Sequence, residues 1–151
     1  MDIHFDGQAD YTLDAKNRLT VPARYRGSLA AGLVLVKSFE PCVELWTPSG
    51  WDEFRREAVK GVHPMSARGR KIKTFLSANS MPATLDSAGR VALAPFLIDH
   101  ADLGNREVTV VGAGDHLQVW ERTAWTDYNK KLTEDMFHIT EGFDDLTAEA
   151  R

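Results

Sequence analysis

Two stretches decide how this chain folds: Leu13–Pro22, LDAKNRLTVP, and Leu85–Pro95, LDSAGRVALAP. In each, an Asp stands four residues before an Arg, a turn-forming residue (Asn17 or Gly89) directly precedes that Arg, and a short β-like run leads to a proline. Asn and Gly are the residues that most readily take positive φ, and an Asp at a turn start accepts backbone N–H bonds. Each stretch therefore reads as a tight turn closed by an Asp–Arg pair and followed by a strand.

Asp14 and Asp86 lie 72 positions apart, as do Arg18 and Arg90, and the correspondence continues beyond them. Leu19 and Val21 match Val91 and Leu93 as the alternating apolar positions of a half-buried strand. PARYRGSLAAG and APFLIDHADLG follow, each with a proline near a helix start and a glycine near its end. Hairpins come next, LVLV to VELW and VTVV to LQVW, with Trp46 matching Trp120 at a spacing of 74. A helix closes each copy. Ser49, with Asp52 three residues on, is the expected cap of the first, and Thr123 that of the second. Trp51, Phe54 and Ala58 share one helical face, as do Trp125, Tyr128 and Leu132. Between the copies, GVHP reads as a hinge and MSARGRKIKTFLSA as a helix with Ile72, Phe75 and Leu76 inward and its cations outward.

The unit of strand, short helix, hairpin and helix thus occurs twice. One copy alone would leave much of its strand surface exposed, whereas two bury theirs against each other about a pseudo-twofold axis. The expected boundaries are residues 5–54 for the first repeat, 55–80 for linker helices, 81–128 for the second repeat and 129–151 for a C-terminal helix end and acidic tail. All four tryptophans are expected in the core or at a subunit interface.

The formal net charge is -4, yet it is unevenly spread. Lys16, Arg18, Arg24 and Arg26 follow one another with no acid between them, and the run from Arg55 to Lys73 is interrupted only by Glu57. Glu134, Asp135, Glu141, Asp144, Asp145 and Glu149 crowd the other end. For the basic residues Arg68 to Lys73, solvation or subunit pairing is expected ahead of DNA contact. The acidic end reads either as disordered or as a shield over the basic surface. With 43% hydrophobic residues the chain is globular, and no stretch approaches the roughly 20 apolar residues of a membrane span. Cytoplasmic location follows as an expectation. Cys42 is the sole cysteine, which excludes an intrachain disulfide and a cysteine-based zinc site; a buried, inert thiol is expected.

Two readings of the turns stand side by side. In one, Asp and Arg only close the turn, worth about 0–1 kcal/mol if exposed. In the other, Lys16 and Arg18 project from a rigid backbone, and Asp14 fixes the guanidinium for a base edge or phosphate. Asp86 would orient Arg90 likewise, in a weaker copy that has Ala88 where Lys16 stands. Lys16 and Arg18 lead the candidates for DNA contact, followed by Arg24 and Arg90; for Arg24 and Arg26 a solvated helix face competes. Catalysis has little support: Asp99–His100, His116 and His138 have no partner at a recognisable spacing, and no nucleophile elbow or phosphate loop is present. No catalytic residue, metal site, cofactor or small-molecule substrate is expected.

These paired D-x-x-x-R motifs, with RLTVPARYR after the first, FLSANSMPATLD before the second, and the VELW and LQVW strand ends, resemble the MraZ family of the AbrB/SpoVT swapped-hairpin superfamily over roughly residues 1 to 135. The resemblance implies an α+β fold, a double-split β-barrel of two tandem repeats with flanking helices, assembled into a ring-shaped homo-oligomer. It also implies a nucleoid-associated, DNA-binding transcriptional regulator that represses its own promoter and a division and cell-wall gene cluster. The alternative keeps the fold and makes the oligomer a protein-binding scaffold. Asn17 stands where the family usually has Gly, and Ala94 precedes Pro95 where a Pro-Pro pair is common.

Overall fold

The computed structural model describes the backbone of residues 4–149 and the side chains of residues 4–142. Two compact units are present, one ending at Glu121 and one beginning at Arg122.

In the first unit, β1 (Gln8–Thr12), β2 (Arg18–Thr20), α1 (Ala23–Leu29), β3 (Leu33–Lys37), β4 (Val43–Trp46) and α2 (Pro48–Ala58) lead to α3 (Ala67–Ala78). Then β5 (Ser80–Ala83), β6 (Arg90–Ala92), α4 (Pro95–Ala101), β7 (Glu107–Gly112) and β8 (Leu117–Glu121) follow the same succession as β1 to β4. α5 (Arg122–Glu149) is the second unit.

Six strands form one antiparallel sheet in the order β1-β7-β8-β4-β3-β5, and β2 and β6 form a separate two-stranded ribbon. Both expected hairpins are present, with Val34 opposite Trp46 and Val110 opposite Val119. They meet at the centre, where Val43 faces Val119 and Leu45 faces Leu117. The edges cross between the halves: β1 pairs with β7, and β5 pairs with β3. Neither edge strand announces itself in the sequence. QADYT is polar and largely exposed, and SMPA contains Pro82, which an edge position tolerates because it lacks an N–H to donate.

The alternating residues Leu19, Val21, Val91 and Leu93 are all buried in one apolar cluster with Leu35, Leu45, Leu97, Leu117 and Val119. On the other face of β3 and β4, Val34, Val36 and Trp46 pack with Trp51 and Leu76, against which Phe54, Ala58 and Ile72 lie. All four tryptophans are buried. Phe75 departs from the expected inward set: it is exposed and stacks on exposed Phe39, with ring centroids 5.6 Å apart.

Several boundary expectations are corrected. Thr47, not Ser49, caps α2, its Oγ1 accepting from Gly50 N at 3.1 Å, because Pro48 occupies the first turn and places Ser49 inside it. Thr123 lies within α5 rather than ahead of it. α4 ends on Asp102 in the left-handed region at φ 53°, not on Gly104. The C-terminal region is helical through Glu149 rather than disordered; the side chains of Asp144, Asp145 and Glu149 lie outside those described.

Candidate functional site

Each D-x-x-x-R stretch folds by its own local hydrogen bonds. Asp14 Oδ1 accepts from the backbone N–H of Lys16 and of Arg18, both at 2.9 Å, and Asp86 Oδ1 accepts from those of Ala88 and Arg90, also at 2.9 Å. Asn17 N donates to Asp14 O and Gly89 N to Asp86 O, with φ 57° at Asn17 and 77° at Gly89. The second carboxylate oxygen of each Asp takes its own arginine: Arg18 Nε donates to Asp14 Oδ2 at 2.6 Å and Arg90 Nε to Asp86 Oδ2 at 2.9 Å. In both, the backbone bond from the arginine's own N–H is the first cause holding the carboxyl below the usual carboxylate range, and the Arg side chain adds to it.

Tertiary structure then joins the two turns. The β2–β6 ribbon pairs Arg18 with Ala92 and Thr20 with Arg90. Val21 N donates to Gly89 O at 2.9 Å and Leu93 N to Asn17 O at 3.0 Å, so each turn is tied to the strand that leaves the other. Each arginine consequently faces both carboxylates: Arg18 Nη1 lies 3.9 Å from Asp86 Oδ2, and Arg90 Nη1 lies 3.9 Å from Asp14 Oδ2. The result is a partly exposed quartet of alternating charge. It carries no net charge, but it fixes both guanidinium groups through Nε and sets each Nη1 near the aspartate of the other turn, too far for a hydrogen bond.

Unopposed positive charge surrounds the quartet. Lys16 is exposed on the first turn, and its ammonium has no partner among the described residues. Two further arginines brace the turns from distant parts of the chain. Arg106, at φ 64°, reaches Asn17 Oδ1 from Nε at 3.2 Å and Ala15 O from Nη2 at 3.3 Å. Arg26 donates from Nε to Val21 O at 2.9 Å, and its side chain crosses Gly89 so closely that a Cβ there would sit 2.5 Å from Nε. Sequence reasoning missed Arg106, because nothing in GNREV marks a contact 91 residues away with Ala15. Arg24 is placed differently from the other candidates: its Nη2 donates to Asp6 O at 2.8 Å, and its guanidinium lies over the Tyr25 ring at 4.7 Å.

The residues considered for acid–base chemistry do not converge. His100 contacts Glu40 O at 2.9 Å, His116 lies beside Asp115 and stacks on Trp46, and His138 is 3.8 Å from Glu141 along its own helix. Among the described residues no group of three His, Cys, Asp or Glu side chains could hold a metal, and no helix is long and apolar enough to cross a membrane.

A family profile described as "MraZ protein, putative antitoxin-like" matches residues 4–68 and 75–145, and thus covers both turns. The chain is 33% identical over 144 residues to the transcriptional regulator MraZ of Dictyoglomus turgidum, covering 94% of this chain and 97% of that protein. It is 34% identical over 147 residues to the transcriptional regulator MraZ of Dechloromonas aromatica, covering 94% and 98%. The relative from Oenococcus oeni, with the same name, is 29% identical over 143 residues. Transcriptional regulators, as these relatives are named, are not a class of enzyme. With both D-x-x-x-R turns inside the matched regions, the chain belongs to the MraZ family of transcriptional regulators.

Proposed function

We propose that this protein is a sequence-specific DNA-binding repressor of its own promoter and of a division and cell-wall gene cluster, working at the nucleoid as a ring-shaped oligomer on repeated DNA boxes. The observation that carries the reading is the quartet: two arginines held by aspartates on one ribbon, with the free ammonium of Lys16 beside them. A guanidinium fixed through Nε offers its remaining donors to a guanine edge or phosphate with little further ordering cost. Lys16, Arg18 and Arg90 form the reading surface, Asp14 and Asp86 orient it, and Arg106 and Arg26 support the turns. Arg24, engaged with Asp6, contributes charge at its margin.

In this reading, the six-stranded sheet and the two-stranded ribbon are parts of a double-split β-barrel formed by the repeats 5–54 and 81–128. One turn pair makes too few contacts for tight binding, whereas a ring that presents several gains effective concentration when box spacing matches subunit spacing. The test is a salt titration against fluorescent DNA from the protein's own upstream region, using wild type and Lys16→Ala/Arg18→Ala, with mass measured alongside. Specific binding with a log–log slope near -0.9 per neutralised phosphate, lost in the variant at unchanged mass, is expected. Equal weak binding by both proteins to this and to scrambled DNA refutes the reading and favours a scaffold.

A further inference from the structure

The two ends of the charge distribution carry matching surfaces. On α5, Trp125, Tyr128, Leu132, Met136 and Ile139 recur at spacings of three and four and so lie along one helical stripe. Trp125 is buried, but the stripe continues into solvent: Met136 is 50% and Ile139 49% exposed, with Phe137 beside them at 69%. Glu134 and Glu141 flank Phe137, and Asp135 flanks Ile139. From Glu134 onward the helix contains no Lys or Arg. Large apolar side chains clustered on an exposed helix mark a contact surface rather than a solvated end.

α3 presents the complement. Its outer face is a groove of about 550 Å³ lined by Ala67, Arg70, Lys71, Thr74, Phe75 and Ala78. Phe75 contributes an aromatic ring to the lining, and exposed Phe39 stacks on it from beside the groove. The helix carries Arg68, Arg70, Lys71 and Lys73 and no acid. Among the described residues Lys71 has no partner for its ammonium, and the Arg70 guanidinium donates to the Met65 carbonyl. Small side chains at Ala67, Thr74 and Ala78 let another helix approach closely, and cations line its path.

We infer that the exposed half of α5 from one copy of this chain docks in the α3 groove of a second copy, with Met136, Phe137 and Ile139 against Phe75 and Phe39, and Glu134, Asp135 and Glu141 against Arg70 and Lys71. A second copy is the occupant that the charges favour: α5 against α5 would bring acid to acid, and DNA would be repelled by α5. The contact joins two different surfaces, so the copy that donates its helix keeps its groove free and the copy that receives it keeps its helix free; such head-to-tail contacts generate rings when the rotation closes. The inference rests on the ring reading of the proposed function and names the surfaces that build it.

Charge reversal tests it on the full-length chain, with mass followed by sedimentation velocity across a dilution series and folding by circular dichroism. The variants are Arg70→Glu/Lys71→Glu, Glu134→Lys/Asp135→Lys, and the chain carrying all four. Each pair alone is expected to raise the dissociation concentration at least tenfold with the fold intact, and the four-fold chain to return to wild-type mass, a rescue that misfolding cannot mimic. Wild-type mass in both single-pair variants overturns the inference and leaves the ring standing on other surfaces. Failure of the four-fold chain to reassemble, or a change in stability without a change in mass, also overturns it. A monomeric wild type refutes the ring reading itself.

Discussion

Gly89→Ala probes the coupling between a turn and the arginine that crosses it. At φ 77° an alanine sits in the left-handed region, which costs about 1–2 kcal/mol. Its Cβ would also lie 2.5 Å from Arg26 Nε and 2.7 Å from Arg26 Cδ, so that side chain must leave. Leaving breaks the 2.9 Å hydrogen bond to Val21 O, worth about 1 kcal/mol. The stiffer unfolded chain returns roughly 0.4–1 kcal/mol. The net expectation is a loss of about 1–2.6 kcal/mol. In an Arg26→Ala background the hydrogen bond is already absent, so the same substitution loses about 1 kcal/mol less. Urea unfolding of the four proteins, at one fixed protein concentration because assembly adds to apparent stability, gives the coupling directly. A coupling below about 0.3 kcal/mol refutes the claim that Arg26 and the turn compete for the same space.

Other expectations follow from the same geometry. Asp14 and Asp86 have carboxyls held low in the folded state, so their stabilising effect is present above the unfolded value near 3.8 and disappears as pH falls through the depressed folded values; a stability profile from pH 7 to pH 2 should lose part of its acid limb in Asp14→Asn/Asp86→Asn, and an unchanged profile contradicts this. Cys42 is buried, and burial pushes its thiol up to about 12. Ellman's reagent at pH 8 should therefore leave it unmodified in native protein and react once urea unfolds the chain; rapid native reaction would place the thiol at the surface. Thr47→Ala should cost about 1 kcal/mol by removing the cap on Gly50 N, whereas Ser49→Ala should stay within about 0.5 kcal/mol, and thermal melts of the pair decide between the two caps.

The local chemistry of the turns was legible because it depends on neighbours a few residues apart. Asp14 and Asp86 at the turn starts, positive φ at Asn17 and Gly89, and pairing to the arginine four residues on all follow from hydrogen bonds that close within five residues. Alternation likewise placed Leu19, Val21, Val91 and Leu93 inward, and the hairpins ending at Trp46 and Trp120 were visible as apolar runs separated by turn residues. The edge strands escaped notice because each draws its pairing from the other half of the chain, and their composition reflects exposure rather than strand propensity. Phe75 was assigned inward by periodicity, but it is exposed and stacks on Phe39, a residue 36 positions earlier in an exposed turn.

By itself, then, the sequence determined two Asp–Arg turns with a lysine on the first, the apolar alternation of the strands that leave them, and the separation of basic from acidic residues. Local hydrogen bonding and hydrophobic periodicity need only nearby residues, and a single chain displays both. Tertiary structure decided that the turns share one ribbon, that each arginine faces both aspartates, and that Arg26 and Arg106 brace the turns from outside them while Arg24 goes to Asp6. Those arrangements depend on strand pairing across more than 70 residues, and on which long side chain reaches a carbonyl first once the strands are in place.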